Sequence, residues 1–183
     1  MARRLAGAPV AKVRAQALGW DPERRADGAD QALLTFANGV SASLVYSGYG
    51  RFDTDALVGW VGELGQRRSP DDYGAARRRL TGSGDEAELK RLRAYGSGAA
   101  AEPERVGHEH FGFVLASCEG ADLRPTATAI EVYGDAREVI DLPPAEAPRQ
   151  GVVDEVWAAV VEGRPATHDG AWGQANLAAC LAI

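Results

Sequence analysis

A chain of 183 residues has material for one domain with a sizeable core and too little for two comfortable ones. Its formal net charge of -6, with 25% charged and 45% hydrophobic residues, is that of an ordinary soluble protein and argues against nucleic acid, which needs a net basic face. Cys118 and Cys180 lie far apart without a C-x-x-C spacing, and no apolar run approaches the roughly 20 residues of a bilayer span, so neither a disulfide framework, a zinc site nor a membrane anchor is expected and the reading is a reduced cytoplasm.

The first residues, 1–6, are good helix formers that stop at Gly7 with Pro9 just beyond, the pattern of a helix end. A helix so short is not stable alone, which suggests that its beginning is missing. Residues 10–18 alternate, with Lys12, Arg14 and Gln16 set against Ala11, Val13 and Ala15, and predict a first strand. The stretch 31–50 organises the rest: two apolar runs about Asn38-Gly39 predict a hairpin with a two-residue type I′ turn. That turn would set Leu33 opposite Leu44 and Gln31 opposite Tyr46 on one face, and Phe36 opposite Ser41 and Leu34 opposite Ser43 on the other. Neither face is plainly polar, so the sheet is expected to be covered on both sides, once by helices and once by another subunit.

Residues 56–64, with Trp60 among Gly59, Gly62 and Gly65, read as a further strand that bends or passes close to a neighbour. From 66 to 104 the chain turns polar and Arg-rich, with helix starts at Ser69-Pro70-Asp71-Asp72 and Gly84-Asp85-Glu86 and a connector at Gly96-Ser97-Gly98-Ala99. This is taken as a helical excursion from the sheet, with Arg77, Arg78 and Arg79 on a solvated face. Strands over 111–118, 121–126, 129–133 and 137–142, turning at Gly120 and Gly134-Asp135, suggest an antiparallel meander. After Pro143, Pro144 and Pro148, a helix over 151–162 shows Val152, Val153, Val156, Trp157, Val160 and Val161 along one face. A last helix, capped by Asp169, runs from Gly170 or Ala171 to 183, inside its own apolar pattern, as if the sequence were excised from something longer.

Motifs with chemistry are few. Gly82-Ser83-Gly84-Asp85-Glu86-Ala87 matches a loose dinucleotide fingerprint, but it follows a helix and its two acids would repel a pyrophosphate. His108-x-His110 could set two imidazoles on one side of a strand end, yet no further ligand completes a metal spacing, which leaves polar or pocket-lining histidines. There is no G-x-S-x-G, and neither cysteine has a base nearby in sequence. Tyr46, Tyr49 and Arg51 meet at the hairpin exit, where Arg51 could take a carboxylate on both its nitrogens. His168 before the Asp169 cap has no assigned role.

Taken together, Val10-Ala11-Lys12-Val13-Arg14-Ala15, the run Ala32-Leu33-Leu34-Thr35-Phe36-Ala37-Asn38-Gly39-Val40, and Gly163-Arg164-Pro165 with His168-Asp169-Gly170 resemble the C-terminal domain of the Gfo/Idh/MocA oxidoreductases. Ser47-Gly48-Tyr49, Gly59-Trp60-Val61-Gly62-Glu63-Leu64-Gly65, His108-Glu109-His110-Phe111-Gly112 and Val132-Tyr133-Gly134 resemble the branch that includes dihydrodihydroxyphthalate dehydrogenases. The resemblance implies an α/β (α+β) fold, a large mainly antiparallel sheet with helices on one face and the other face available for dimerisation. It implies a single substrate-binding and dimerisation domain over 1–183, without the N-terminal Rossmann domain that binds NAD or NADP and carries the family's catalytic lysine. Such a chain is inactive alone. The full-length enzyme is expected to dehydrogenate a cyclic diol or sugar-like hydroxyl, a dihydrodiol carboxylate among the candidates, with Tyr49, Arg51, His108 and His110 on the substrate side, no catalytic, cofactor or metal residue in this chain, and a homodimer through the sheet face. The alternative of another class is a standalone, non-catalytic binding or self-association domain.

Overall fold

The computed structural model describes residues 1–22, 28–75, 77–78, 87–88, 91, 104–145 and 149–183. The chain divides into two compact units, Met1–Gly50 with Arg149–Ile183, and Arg51–Pro148.

In the first unit, helix α1 (Ala2–Ala6) closes on Gly7, whose φ of 66° lets its N–H reach the Arg3 carbonyl. Strands β1 (Val10–Leu18), β2 (Ala29–Phe36) and β3 (Ser41–Ser47) form an antiparallel sheet in chain order. The hairpin differs from expectation by one residue of register. The Phe36 N–H donates to the Val40 carbonyl at 2.8 Å, so Ala37, Asn38 and Gly39 together form the loop. Gly39 takes positive φ (88°) and Asn38 does not, as in a three-residue loop that ends on a left-handed glycine rather than a type I′ turn. The Asn38 amide is used elsewhere: its Nδ2 donates to the Ala6 carbonyl at 2.8 Å and ties the loop to α1. Leu33 therefore faces Ser43, Leu34 faces Ala42, Gln31 faces Val45 and Thr35 faces Ser41.

One residue of slip exchanges the faces of one strand against the other. Ala32, Leu34 and Phe36 are buried, and Ala2, Ala6, Ala8, Val10, Val13, Ala42 and Ile183 pack against them. The opposite face carries Leu33, Thr35, Ser43 and Val45 beside Lys12, Arg14 and Gln16, with Val45 75% exposed. Helices α2 (Gln150–Val161) and α3 (Gly170–Leu181) complete the unit, and α3 packs on β1. The Asp169 carboxylate caps α3 by accepting the Trp172 N–H at 2.8 Å. The apolar face of α2, from Val152 to Val161, is exposed apart from Ala158.

In the second unit, β4 (Ala116–Ser117), β5 (Asp122–Pro125), β6 (Ala129–Tyr133) and β7 (Arg137–Asp141) make an antiparallel meander, in which the first strand, expected over 111–118, is only two residues long. The strand expected over 56–64 is replaced by a 3-10 helix, Thr54–Val58. Its ends explain it: the Asp53 carboxylate accepts the Asp55 N–H at 3.1 Å, and Gly59, at φ 71°, stops it. A second 3-10 turn, Pro70–Asp72, is capped by Ser69. Arg79, the helix start at Gly84-Asp85-Glu86, the Gly82 motif and the Gly96-Ser97-Gly98-Ala99 connector lie outside the described residues. The α+β class with antiparallel sheets holds; among the described residues the strands form a three-stranded and a four-stranded ladder rather than one continuous sheet.

Candidate functional site

The second unit gathers a group of polar and strained residues between two backbone segments, 59–68 and 104–112. Two glycines bring them together. Gly65 has φ 79° and presses its backbone on Gly107, so that a Cβ there would fall on the Gly107 carbonyl oxygen. Gly107 in turn abuts Ala127, whose Cβ and carbonyl would lie 2.8 Å from an added Cβ. The Val106 and Gly107 N–H groups both donate to the Gly65 carbonyl, and Gln66 bridges Arg105.

His110 closes the arrangement. The Gly112 N–H donates to Nδ1 at 3.0 Å, which makes Nδ1 an acceptor and leaves the proton on Nε2, and this donates to the Val61 carbonyl at 2.9 Å. Both ring nitrogens thus serve the backbone, and what His110 offers a ligand is its ring carbons and the loop it fixes. His108 donates Nε2–H to the Pro143 carbonyl at 2.7 Å, while its own N–H binds the Ala127 carbonyl. Val61, which His110 holds, follows Trp60, a bulky residue in the left-handed region at φ 60°. Such a conformation persists only where its surroundings over-determine it. Here the Trp60 N–H donates to the Asp55 carbonyl and the Trp60 carbonyl accepts the Arg68 N–H, both at 2.8 Å. Burial, then the neighbouring Asp53, raise the Asp55 carboxyl above its ordinary value, while Arg68, 3.7 Å away, and His110 pull it down.

Of the four residues expected on the substrate side, Arg51, His108 and His110 belong to this unit and Tyr49 to the first, where it stacks on Trp20 with ring centres 5.6 Å apart. Arg51 is exposed. Asp55 and Arg105 were not singled out from the sequence, and Trp60 was named only within an expected strand and a motif; the glycine density around it signalled the close approach, and reading it as strand hid the left-handed backbone.

Two further polar networks stand on the sheet and the helices. On β6, the Glu131 carboxylate accepts the Tyr133 hydroxyl at 2.6 Å, Arg124 Nη1 at 3.0 Å and Arg137 Nη2 at 3.4 Å. The Tyr133 hydrogen bond foremost, with the two arginines, holds that carboxyl below its ordinary range. In the first unit, Glu155 on α2 accepts both the His168 backbone N–H and its Nδ1, each at 2.7 Å. His168 sits edge-on to Trp172, over which Arg3 lies 4.2 Å from the ring centre.

No protein-family model matches the sequence. Over 173 residues, 90% of this chain, it is 39% identical to 1-carboxy-3-chloro-3,4-dihydroxycyclohexa-1,5-diene dehydrogenase of Comamonas testosteroni, and covers 43% of that protein. A solved structure described as a dehydrogenase from Bordetella bronchiseptica RB50 superposes with a TM-score of 0.84 at 36% identity, covering 97% of this chain and 47% of that one. The chain therefore spans less than half the length of either protein. The chain is a homologue of these dehydrogenases over nearly all of its own length and fits the C-terminal domain of the Gfo/Idh/MocA oxidoreductases.

Proposed function

We propose that this chain is the substrate-binding and dimerisation domain of an NAD(P)-dependent dehydrogenase that oxidises a cyclic dihydrodiol carboxylate, and that it transfers no hydride by itself. The observation that carries the reading is the 39% identity over 173 residues to a dehydrogenase whose name specifies a carboxylated dihydroxycyclohexadiene. NAD or NADP would be held by a Rossmann domain on the N-terminal side, which also supplies the catalytic lysine. This chain supplies the substrate side: in the second unit, Arg51 and His108 at the ligand and His110 through the loop it pins between Val61 and Gly112. The open face of the three-stranded sheet, with Leu33 and Val45 exposed, is the dimer surface. The two exposed, unpaired cysteines suit a reducing cytoplasm.

The test is to express the gene with whatever coding region precedes this chain and to follow NAD+ and NADP+ reduction with a benzoate-derived cis-dihydrodiol. Reduction by the longer protein and none by residues 1–183 is the expected result. An upstream region without a dinucleotide-binding fingerprint, or no reduction by the longer protein, overturns the reading in favour of a non-catalytic binding domain.

A further inference from the structure

Two of the three guanidinium nitrogens of Arg105, Nε and Nη1, are shut off from solvent and have no acceptor in hydrogen-bond reach among the described residues. Its unit does satisfy comparable groups. Arg124 gives Nη1 to Glu131 and Nη2 to the Leu57 carbonyl, at 3.0 and 2.7 Å. The acid next to Arg105 in sequence, Glu104, faces Arg67 instead, at 3.7 Å. A guanidinium deprived of water and left without acceptors is strongly unfavourable, and an acceptor from outside the chain removes that penalty.

The backbone under Arg105 is fixed from both sides. Gln66 bridges it, the Arg67 N–H donates to the Glu104 carbonyl, and the next two N–H groups converge on the Gly65 carbonyl. The same segment leads within three residues to His108. Arg105 as a whole is partly exposed through its other atoms, so a ligand reaches Nε and Nη1 when the side chain turns outward.

We infer that Arg105 is the carboxylate-recognition residue of this domain. The inference rests on the dehydrogenase reading and deepens it by naming the group that selects an acidic ring substrate. Nε–H and Nη1–H lie on different edges of the guanidinium fork, so one carboxylate satisfies one edge and a second oxygen the other. A ring that bears a carboxylate together with hydroxyls, or two carboxylates, presents that pair. A desolvated guanidinium also holds an anion more strongly than an exposed one such as Arg51.

The probe is benzoate, with benzyl alcohol as its uncharged counterpart, titrated into the chain while the arginine Nε–Hε resonances are followed by NMR. Arg105→Lys identifies the Arg105 signal by its disappearance. Benzoate is expected to shift that signal saturably and benzyl alcohol to leave it in place, with Arg105→Lys and Arg105→Gln each weakening benzoate at least about tenfold in otherwise folded amide spectra. An unmoved Arg105 signal in the unmutated chain overturns the inference, whatever the variants do, and so does equal binding by Arg105→Gln. The two readings separate in the longer protein. Benzoate on Arg105 without nicotinamide reduction removes the dehydrogenase reading alone, and oxidation of a carboxylate-free dihydrodiol as fast as the acid removes the Arg105 role alone.

Discussion

Gly65 is the position where a single methyl group does most damage. Positive φ and contact with the Gly107 carbonyl act together there, so the backbone of 104–108 must retreat to admit a Cβ. Gly65→Ala is expected to destabilise the protein by about 3 kcal/mol or more, read from denaturant midpoints. His110→Ala strips an acceptor from the Gly112 N–H and a donor from the Val61 carbonyl and is expected to lose about 1–3 kcal/mol by the same measurement. Asp55 carries a sign that is easily reversed. Its carboxyl is raised above 3.8 by burial first, so the folded form binds the proton more tightly and stability declines as pH rises through the raised value. Asp55→Asn should remove that decline and stabilise the protein at neutral pH; a neutral-pH loss of stability would mean that the 3.7 Å pair with Arg68 outweighs the burial.

The link between α2 and α3 titrates in the opposite sense. The His168 N–H, then its imidazole, depress the Glu155 carboxyl below 4.5, so this contact stabilises above that value and is lost as pH falls through the depressed one. Glu155→Gln is expected to flatten the acid limb of the melting-temperature profile, whereas Asp169→Ala, which removes the α3 cap, lowers stability by about 1 kcal/mol at neutral pH, read from the melting temperature. Elements with local signals were readable from the sequence. β1, both long helices and the last three strands of the meander follow alternation, helical spacing, Gly and Pro stops and the Asp169 cap, and fall where these indicate, whereas the strand expected over 111–118 keeps only Ala116–Ser117. The hairpin was readable as a hairpin but not in register, because Asn38-Gly39 serves a two- or a three-residue loop, and the choice depends on the Asn38 bond to Ala6, 32 residues away. The sequence drew attention to His108 and His110 by their spacing, but not to the strained backbone of Trp60 or to Arg105. Their character comes from a backbone angle and from missing partners, neither of which a linear spacing records.

Among the described residues the buried apolar set is Phe36, Leu34 and five alanines, while Leu33, Val45 and the Val152 to Val161 face of α2 are exposed. Surface of that kind ordinarily marks an interaction site. On the three-stranded sheet the register decides where a charge can report on it. Ser43 faces Leu33, whose other neighbour is Arg14, and Lys12 lies one pair further along. A lysine at Ser43 therefore adds positive charge to a face that already carries two, at a point remote from the Ala32, Leu34 and Phe36 core. If two copies meet through this face, Ser43→Lys places like charges at the centre of the contact, where a desolvated charge without a partner is strongly unfavourable. Light scattering over a concentration series should then give a dimer for the unaltered chain and a monomer for Ser43→Lys, with unchanged circular dichroism. A dimer that survives the lysine would move the interface away from this face, and the exposed stripe of α2 would be the next surface to charge, at Val156.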